Sequence, residues 1–223
     1  MVMGLQGDAL QSIDLLVRAR LALYAPGQHM ALELSKNPTV LVINDSVFAH
    51  GGLLPMHVKY GLEKINAEVA AWMRADTVPE GGFAPPPFIA MGCAPGRLQG
   101  RRCATPAHAR RLPPRRNSQA IMWNRTFGKE RWVSPVDRVH AIRTLDAALG
   151  AIDCRRLVVG HTPQMDGANC ECDGRVWRLD VGMSRGMLDA PACVLEIRVN
   201  EAGESVPRLL TSQDTIFGLP PFQ

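Results

Sequence analysis

Between Asp8 and Ala25 the apolar residues Leu10, Ile13, Leu16 and Leu21 recur with polar positions between them. This spacing predicts a helix that stops at Ala25-Pro26-Gly27-Gln28. The segment NPTVLVINDSVFAH, ending at His50, is dense in Val, Ile and Leu and predicts one strand, or two divided at Asn44-Asp45. In HVKYGLEKINAEVAAWMRA, Val58, Leu62, Ile65, Val69 and Trp72 or Met73 follow a helical period and predict a single helix. SPVDRVHAIRTLDAALG predicts another, with Ser134 as N-cap, Pro135 at the first turn, Val139, Ile142, Leu145 and Leu149 as the apolar face, and Gly150 as the stop. Strands are expected before His161, in GRVWRLDVGMS and in CVLEIRV, with Gly174 and Gly182 as punctuation. The order implies a mixed α/β fold, as a sandwich or layered sheet, without internal repeats.

A long stretch fits none of these periods. It opens at PEGGFAPPPF and runs to about Gln119. Within it, residues 92–118 carry seven Arg and no acidic residue, whereas the chain outside that block has 18 basic against 21 acidic side chains. The overall charge of +4 is therefore local. A Pro-, Gly- and Arg-rich block of this kind cannot bury a core and predicts an inserted surface loop. Such a loop could touch RNA phosphates, but it has no interleaved aromatics for base stacking, which argues against a nucleic-acid partner.

The 223 residues, 46% of them hydrophobic, suffice for one domain. No apolar run approaches the roughly 18 residues of a membrane span, and the N-terminus lacks the basic region and cleavage site of a signal peptide. These features predict an intracellular, cytoplasmic protein. Six scattered cysteines fit reduced thiols, and Cys170-x-Cys172 is too tight for the usual zinc spacing.

Two apolar runs end alike, VFAHGGL at His50 and LVVGHTP at His161. Each puts a histidine and a glycine just past a predicted strand, where a stiff backbone can aim an imidazole at a metal ion. Singly, each is read as a hydrogen-bonded structural residue ahead of a metal ligand; the pairing of contexts favours a shared site. Arg125, in IMWNRTFG, offers either a stack on Trp123 or a planar fork for a phosphate. No G-x-S-x-G elbow and no Gly-rich nucleotide loop is present, which excludes the usual serine hydrolase and P-loop chemistries.

VFAHGGL, WNR, VVGHTPQ and VWRLDVGMS, in this order, closely resemble the Shewanella-like protein phosphatases, a branch of the phosphoprotein phosphatases within the calcineurin-like metallophosphoesterases. YGLEKINAEVAAWM and VLEI resemble the same family, and the likeness extends from about Met1 to Val199 outside the basic block. It implies a calcineurin-like β-sandwich flanked by helices. By position, it implies His50 and His161 as ligands of one metal in a centre of two divalent ions, Mn, Fe or Zn. It places Arg125 as the phosphate clamp, and Asp180 near the site, either orienting a ligand histidine or Arg125 or simply forming a turn. The implied reaction is attack of a metal-activated water on the phosphoserine or phosphothreonine, or alternatively the phosphotyrosine, of a phosphoprotein or phosphopeptide.

The family motifs G-D-x-H-G, G-D-x-x-D-R-G and G-N-H-E, which supply the remaining ligands and the acid histidine, are absent from this sequence. MVMGLQGD resembles the segment that follows the last of them. The chain is therefore expected to be the C-terminal portion of a phosphoesterase domain, residues 1–223, interrupted by an insertion at about 92–118. Reduced or absent activity is expected, and the competing expectation is an inactive fragment that binds a partner.

Overall fold

The computed structural model describes residues 15–76, 119–129 and 135–211. The basic insertion, the helix start at Asp8 and the cap at Ser134 lie outside the described residues. Of the N-terminal helix, α1 (Leu15–Leu23) is seen, followed by a short α2 (His29–Leu34). The NPTVLVINDSVFAH segment then forms two strands, β1 (Val40–Ile43) and β2 (Ser46–Ala49), paired antiparallel around Asn44-Asp45. Asn44 takes φ 51° in this turn, a left-handed conformation that asparagine tolerates better than most residues.

The expected single helix over residues 57–75 is two helices, α3 (Pro55–Tyr60) and α4 (Leu62–Arg74). Gly61 divides them with φ 105°, while its N–H closes α3 onto the His57 and Val58 carbonyls. The apolar period continues across the break because both helices pack on the same cluster, which is why the sequence pattern alone does not reveal it. Helix α5 (Pro135–Gly150) forms where expected, but its buried face is Ala141, Leu145, Ala148 and Leu149. Val139 is instead 48% exposed. Small alanines let the helix approach the sheet, so burial follows shape rather than hydrophobicity alone.

After α5 come β3 (Arg156–Val159), β4 (Asn169–Glu171), β5 (Val176–Arg178), β6 (Cys193–Val199) and β7 (Ser205–Thr211). Strands β1 to β5 make one mixed sheet in the order β1-β2-β3-β5-β4, and β6-β7 is a separate hairpin. The chain is thus a mixed α/β protein, as the pattern predicted. Strands α-helical periodicity could not flag, β4 and β7, are short or carry a proline, Pro207. Arg156 ties the hairpin to the sheet: one guanidinium nitrogen meets Asp45 at 2.8 Å and Ser46 at 3.0 Å, and the other donates to the Ser205 carbonyl at 3.0 Å.

Alternation along the strands sends Val40, Val47, Ala49, Leu157, Val159 and Val176 to one face, where they join Leu53, Ile121, Phe127, Leu145 and Leu149 in the core. The other face carries Leu41, Phe48, Val158 and Trp177 as a cross-strand row. Leu41 is 41% exposed there, so this row is only partly covered. Among the described residues, no helix is long and apolar enough to cross a membrane. The described cysteines Cys154, Cys170, Cys172 and Cys193 are free thiols.

Leu157→Ala, at the centre of the core, should lower the unfolding free energy by about 2–5 kcal/mol in urea titrations. Val139→Ala should change it by no more than about 0.5 kcal/mol. Equal effects of the two substitutions would contradict this packing.

Candidate functional site

Three adjacent strands run parallel and end level. In the register of β2, β3 and β5, Ala49 lies beside Val159 and Val159 beside Arg178. His50 follows Ala49 directly, while His161 and Asp180 stand two residues beyond Val159 and Arg178. The sheet therefore delivers two imidazoles and a carboxylate to one end of an open groove of about 580 Å³, which is floored by Leu41, Phe48 and Val158. Sites at the carboxyl ends of parallel strands recur in α/β proteins because the loops there diverge and leave a crevice.

The two imidazole rings face each other with centroids 5.0 Å apart and planes tilted by 54°. A hydrogen bond from Gly160 N–H to the His50 carbonyl, 2.9 Å long, joins the two turns. A Cβ at Gly160 would sit 3.9 Å from His50 Nδ1, an ordinary contact distance, so the turn passes directly against the imidazole. His161 itself adopts φ 65°, and Thr162 N–H returns to the Gly160 carbonyl at 2.7 Å. This three-residue turn is strained for a residue with a Cβ, and it is what directs the imidazole toward His50.

Burial lowers the His50 pKa from the ordinary histidine value, opposed by the Asp180 carboxylate. The ring is therefore neutral at neutral pH, the form that ligates metals. Asp180 also forms a turn: its Oδ1 accepts the Gly182 N–H at 3.0 Å, and its carbonyl accepts the Gln164 N–H at 2.7 Å. The turn-forming reading of Asp180 from the sequence thus has its geometric counterpart.

The third component arrives from the segment 119–129. Trp123 meets the His161 ring edge-on at 5.3 Å. Arg125 is exposed and donates from Nη1 to Thr162 Oγ1 at 3.3 Å, beside His161. The segment sits close because Gly51 has no side chain; a Cβ there would fall 2.7 Å from the Ile121 carbonyl oxygen and 2.9 Å from that of Asn124. Gly52, at φ 148°, needs glycine for its backbone. The two glycines after His50 thus serve loop approach and turn geometry.

Sequence reasoning missed two buried amides in this framework, Asn124 and Gln164, which are 0% and 1% exposed. Their signal was a polar residue inside each motif, in W-N-R and after G-H-T-P, too short a cue to separate from a surface amide. His57, fully buried, was read only as the start of a helix; its Nδ1 accepts the Leu54 N–H at 3.1 Å, and its Nε2 lies 2.8 Å from the Gln119 carbonyl oxygen.

As a metal centre, the described residues offer two imidazole nitrogens with one carboxylate nearby. Among them, no group of three or more His, Cys, Asp or Glu is clustered tightly enough to hold an ion. Two imidazoles would fill at most two positions of a coordination shell and would not close it, since a structural or catalytic shell takes four or more ligands.

No protein-family model matches the chain. A curated relative, Shewanella-like protein phosphatase 2 of Arabidopsis thaliana, is 36% identical over 198 residues, 88% of this chain. Over most of its length the chain is therefore similar to a Shewanella-like protein phosphatase. It spans 41% of that phosphatase's length. Solved structures of a cold-active protein tyrosine phosphatase, including that of a psychrophile Shewanella species, superpose with TM-scores of 0.51 and 0.50 at 17% identity. They cover 90% of this chain, of which the likeness shows the fold, and about half of their own, 53% and 54%.

Burial also lowers the His57 pKa, partly offset by its bond to the Gln119 carbonyl. The unfolded chain then binds a proton that the folded chain resists, so stability should fall as pH drops through and below about 6.5. Urea midpoints from pH 8 to pH 5 would measure the slope, and it should be smaller in His57→Asn. A slope of opposite sign would refute this environment for His57.

Proposed function

We propose that the chain is part of a calcineurin-like phosphoesterase domain, residues 1–223 with an insertion at about 92–118, and that it serves as the phosphate-binding side of a metal-dependent phosphoprotein phosphatase acting inside the cell. The observation that carries this reading is the parallel register of β2, β3 and β5, which brings His50, His161 and Asp180 to one groove, with Arg125 hydrogen-bonded to Thr162 next to His161. The relationship to a Shewanella-like phosphatase supports it.

In this proposal Arg125 binds the phosphoryl group of a phosphoserine, phosphothreonine or phosphotyrosine residue. Its guanidinium fork offers two parallel donors to two phosphate oxygens and offsets charge that builds on them as the ester bond breaks. Thr162 holds the fork beside His161. His50 and His161 hold a divalent ion, Mn, Fe or Zn, one of a pair whose other ligands come from outside the described residues. When bound, such ions lower the pKa of a water and polarise the phosphoryl oxygens. The Asp180 carboxylate acts electrostatically on His50, and a carboxylate there favours a cation at that place. The groove floored by Leu41, Phe48 and Val158 gives the peptide around the phosphorylated residue an apolar surface to lie on.

A second reading is favoured by the short ligand set among the described residues: an inactive chain that binds a phosphoprotein. Hydrolysis of p-nitrophenyl phosphate separates the two. The catalytic reading expects turnover that requires Mn²⁺, is lost with EDTA or in the His50→Ala, His161→Ala variant, and falls about 100-fold in Arg125→Ala. A folded chain that binds phosphate without turnover supports the second reading. Turnover indifferent to these substitutions would contradict both.

A further inference from the structure

We infer that the buried amides of Asn124 and Gln164 are positioning residues for the proposed phosphate site, fixing Arg125 against the two histidine turns. The inference rests on the phosphate-binding reading of Arg125. That arginine is exposed, and its one hydrogen bond given above, to Thr162, is long at 3.3 Å. A flexible, exposed guanidinium would spread over many rotamers and bind a phosphate weakly, so its backbone must be held from elsewhere.

Asn124 holds one end. Its Nδ2 donates to the Gly52 carbonyl at 2.8 Å, across 72 residues of sequence, and its Oδ1 accepts the Thr126 N–H at 3.1 Å. The side chain therefore bridges Arg125 on its own loop while gripping the turn that follows His50. Gln164 holds the other end. Its Nε2 donates to the Gly128 carbonyl at 2.8 Å and to the Thr162 carbonyl at 2.7 Å, and its Oε1 accepts from Asn169 Nδ2 at 3.2 Å. Its backbone N–H donates to the Asp180 carbonyl. Gln164 thus links the Arg125 loop, the His161 turn and the Asp180 turn. Arg178, buried in β5, adds a third pin by donating from Nε to the Phe127 carbonyl at 2.7 Å.

Both amides are buried and bonded to protein partners, so neither side chain touches the phosphate. Their donors all go to backbone carbonyls of loops that carry a site residue. An amide does this where a carboxylate of the same shape cannot, because Asp or Glu would set an acceptor against those carbonyls.

The test uses Asn124→Asp and Gln164→Glu in the whole chain, with Arg125→Ala as reference. Inorganic phosphate affinity by calorimetry and the melting temperature are read for each, at a temperature where circular dichroism shows every variant folded. Each amide variant should weaken phosphate binding about tenfold or more. Adding Gln164→Glu to Arg125→Ala should weaken it no further, since Gln164 acts through Arg125. Gln164→Asn or Asn124→Gln, which keep the donors at altered reach, should restore part of the affinity. Amide variants that melt earlier yet bind phosphate like the parent would overturn the inference and leave the site reading standing. Phosphate affinity unchanged in Arg125→Ala, or absent from the parent, would overturn both.

Discussion

The level ending of three parallel strands is the constraint on which the site depends. β2, β3 and β5 are neighbours whose last residues, Ala49, Val159 and Arg178, share one cross-strand row. A slip of β3 by one residue would turn Leu157 and Val159 out of the core and put Val158 in their place. Register is therefore secured by the apolar face, and the same burial that stabilises the sheet sets His50, His161 and Asp180 at a common level. Stability and site geometry have one origin here.

What the sheet cannot do is bring in Arg125, which lies on a segment without strand or helix. That task falls to backbone approach and buried hydrogen bonds: Gly51 opens the space, while Asn124 and Gln164 fill it with donors aimed at loop carbonyls. The arrangement is costly to disturb, because removing a buried donor leaves a desolvated carbonyl unsatisfied. It also explains the strained turn at His161, which is held from both sides by Gly160 and Gln164.

Much of this was legible in the sequence. The strands before His50 and His161 stand where the apolar runs put them, and the split at Asn44-Asp45 is a tight hairpin turn. The link between VFAHGGL and VVGHTPQ held in space, since the rings lie 5.0 Å apart. Periodicity failed where two elements share one core: the break at Gly61 is invisible to it, and Val139 gave way to two alanines that fit against the sheet. It was silent on β4, three residues long, and on the couplings of Asn124 and Gln164, which depend on partners up to 72 positions away. Pairwise chemistry of that range has no local pattern to read.

The most direct measurement is a ¹H–¹⁵N titration of the imidazole side chains with Zn²⁺, which keeps the spectra sharp. If the strand ends build one metal-binding pair, the His50 and His161 resonances should shift together with a common midpoint while His29 and His140 stay unmoved. Independent midpoints for the two rings, or no response in either, would contradict a shared site at the ends of β2 and β3.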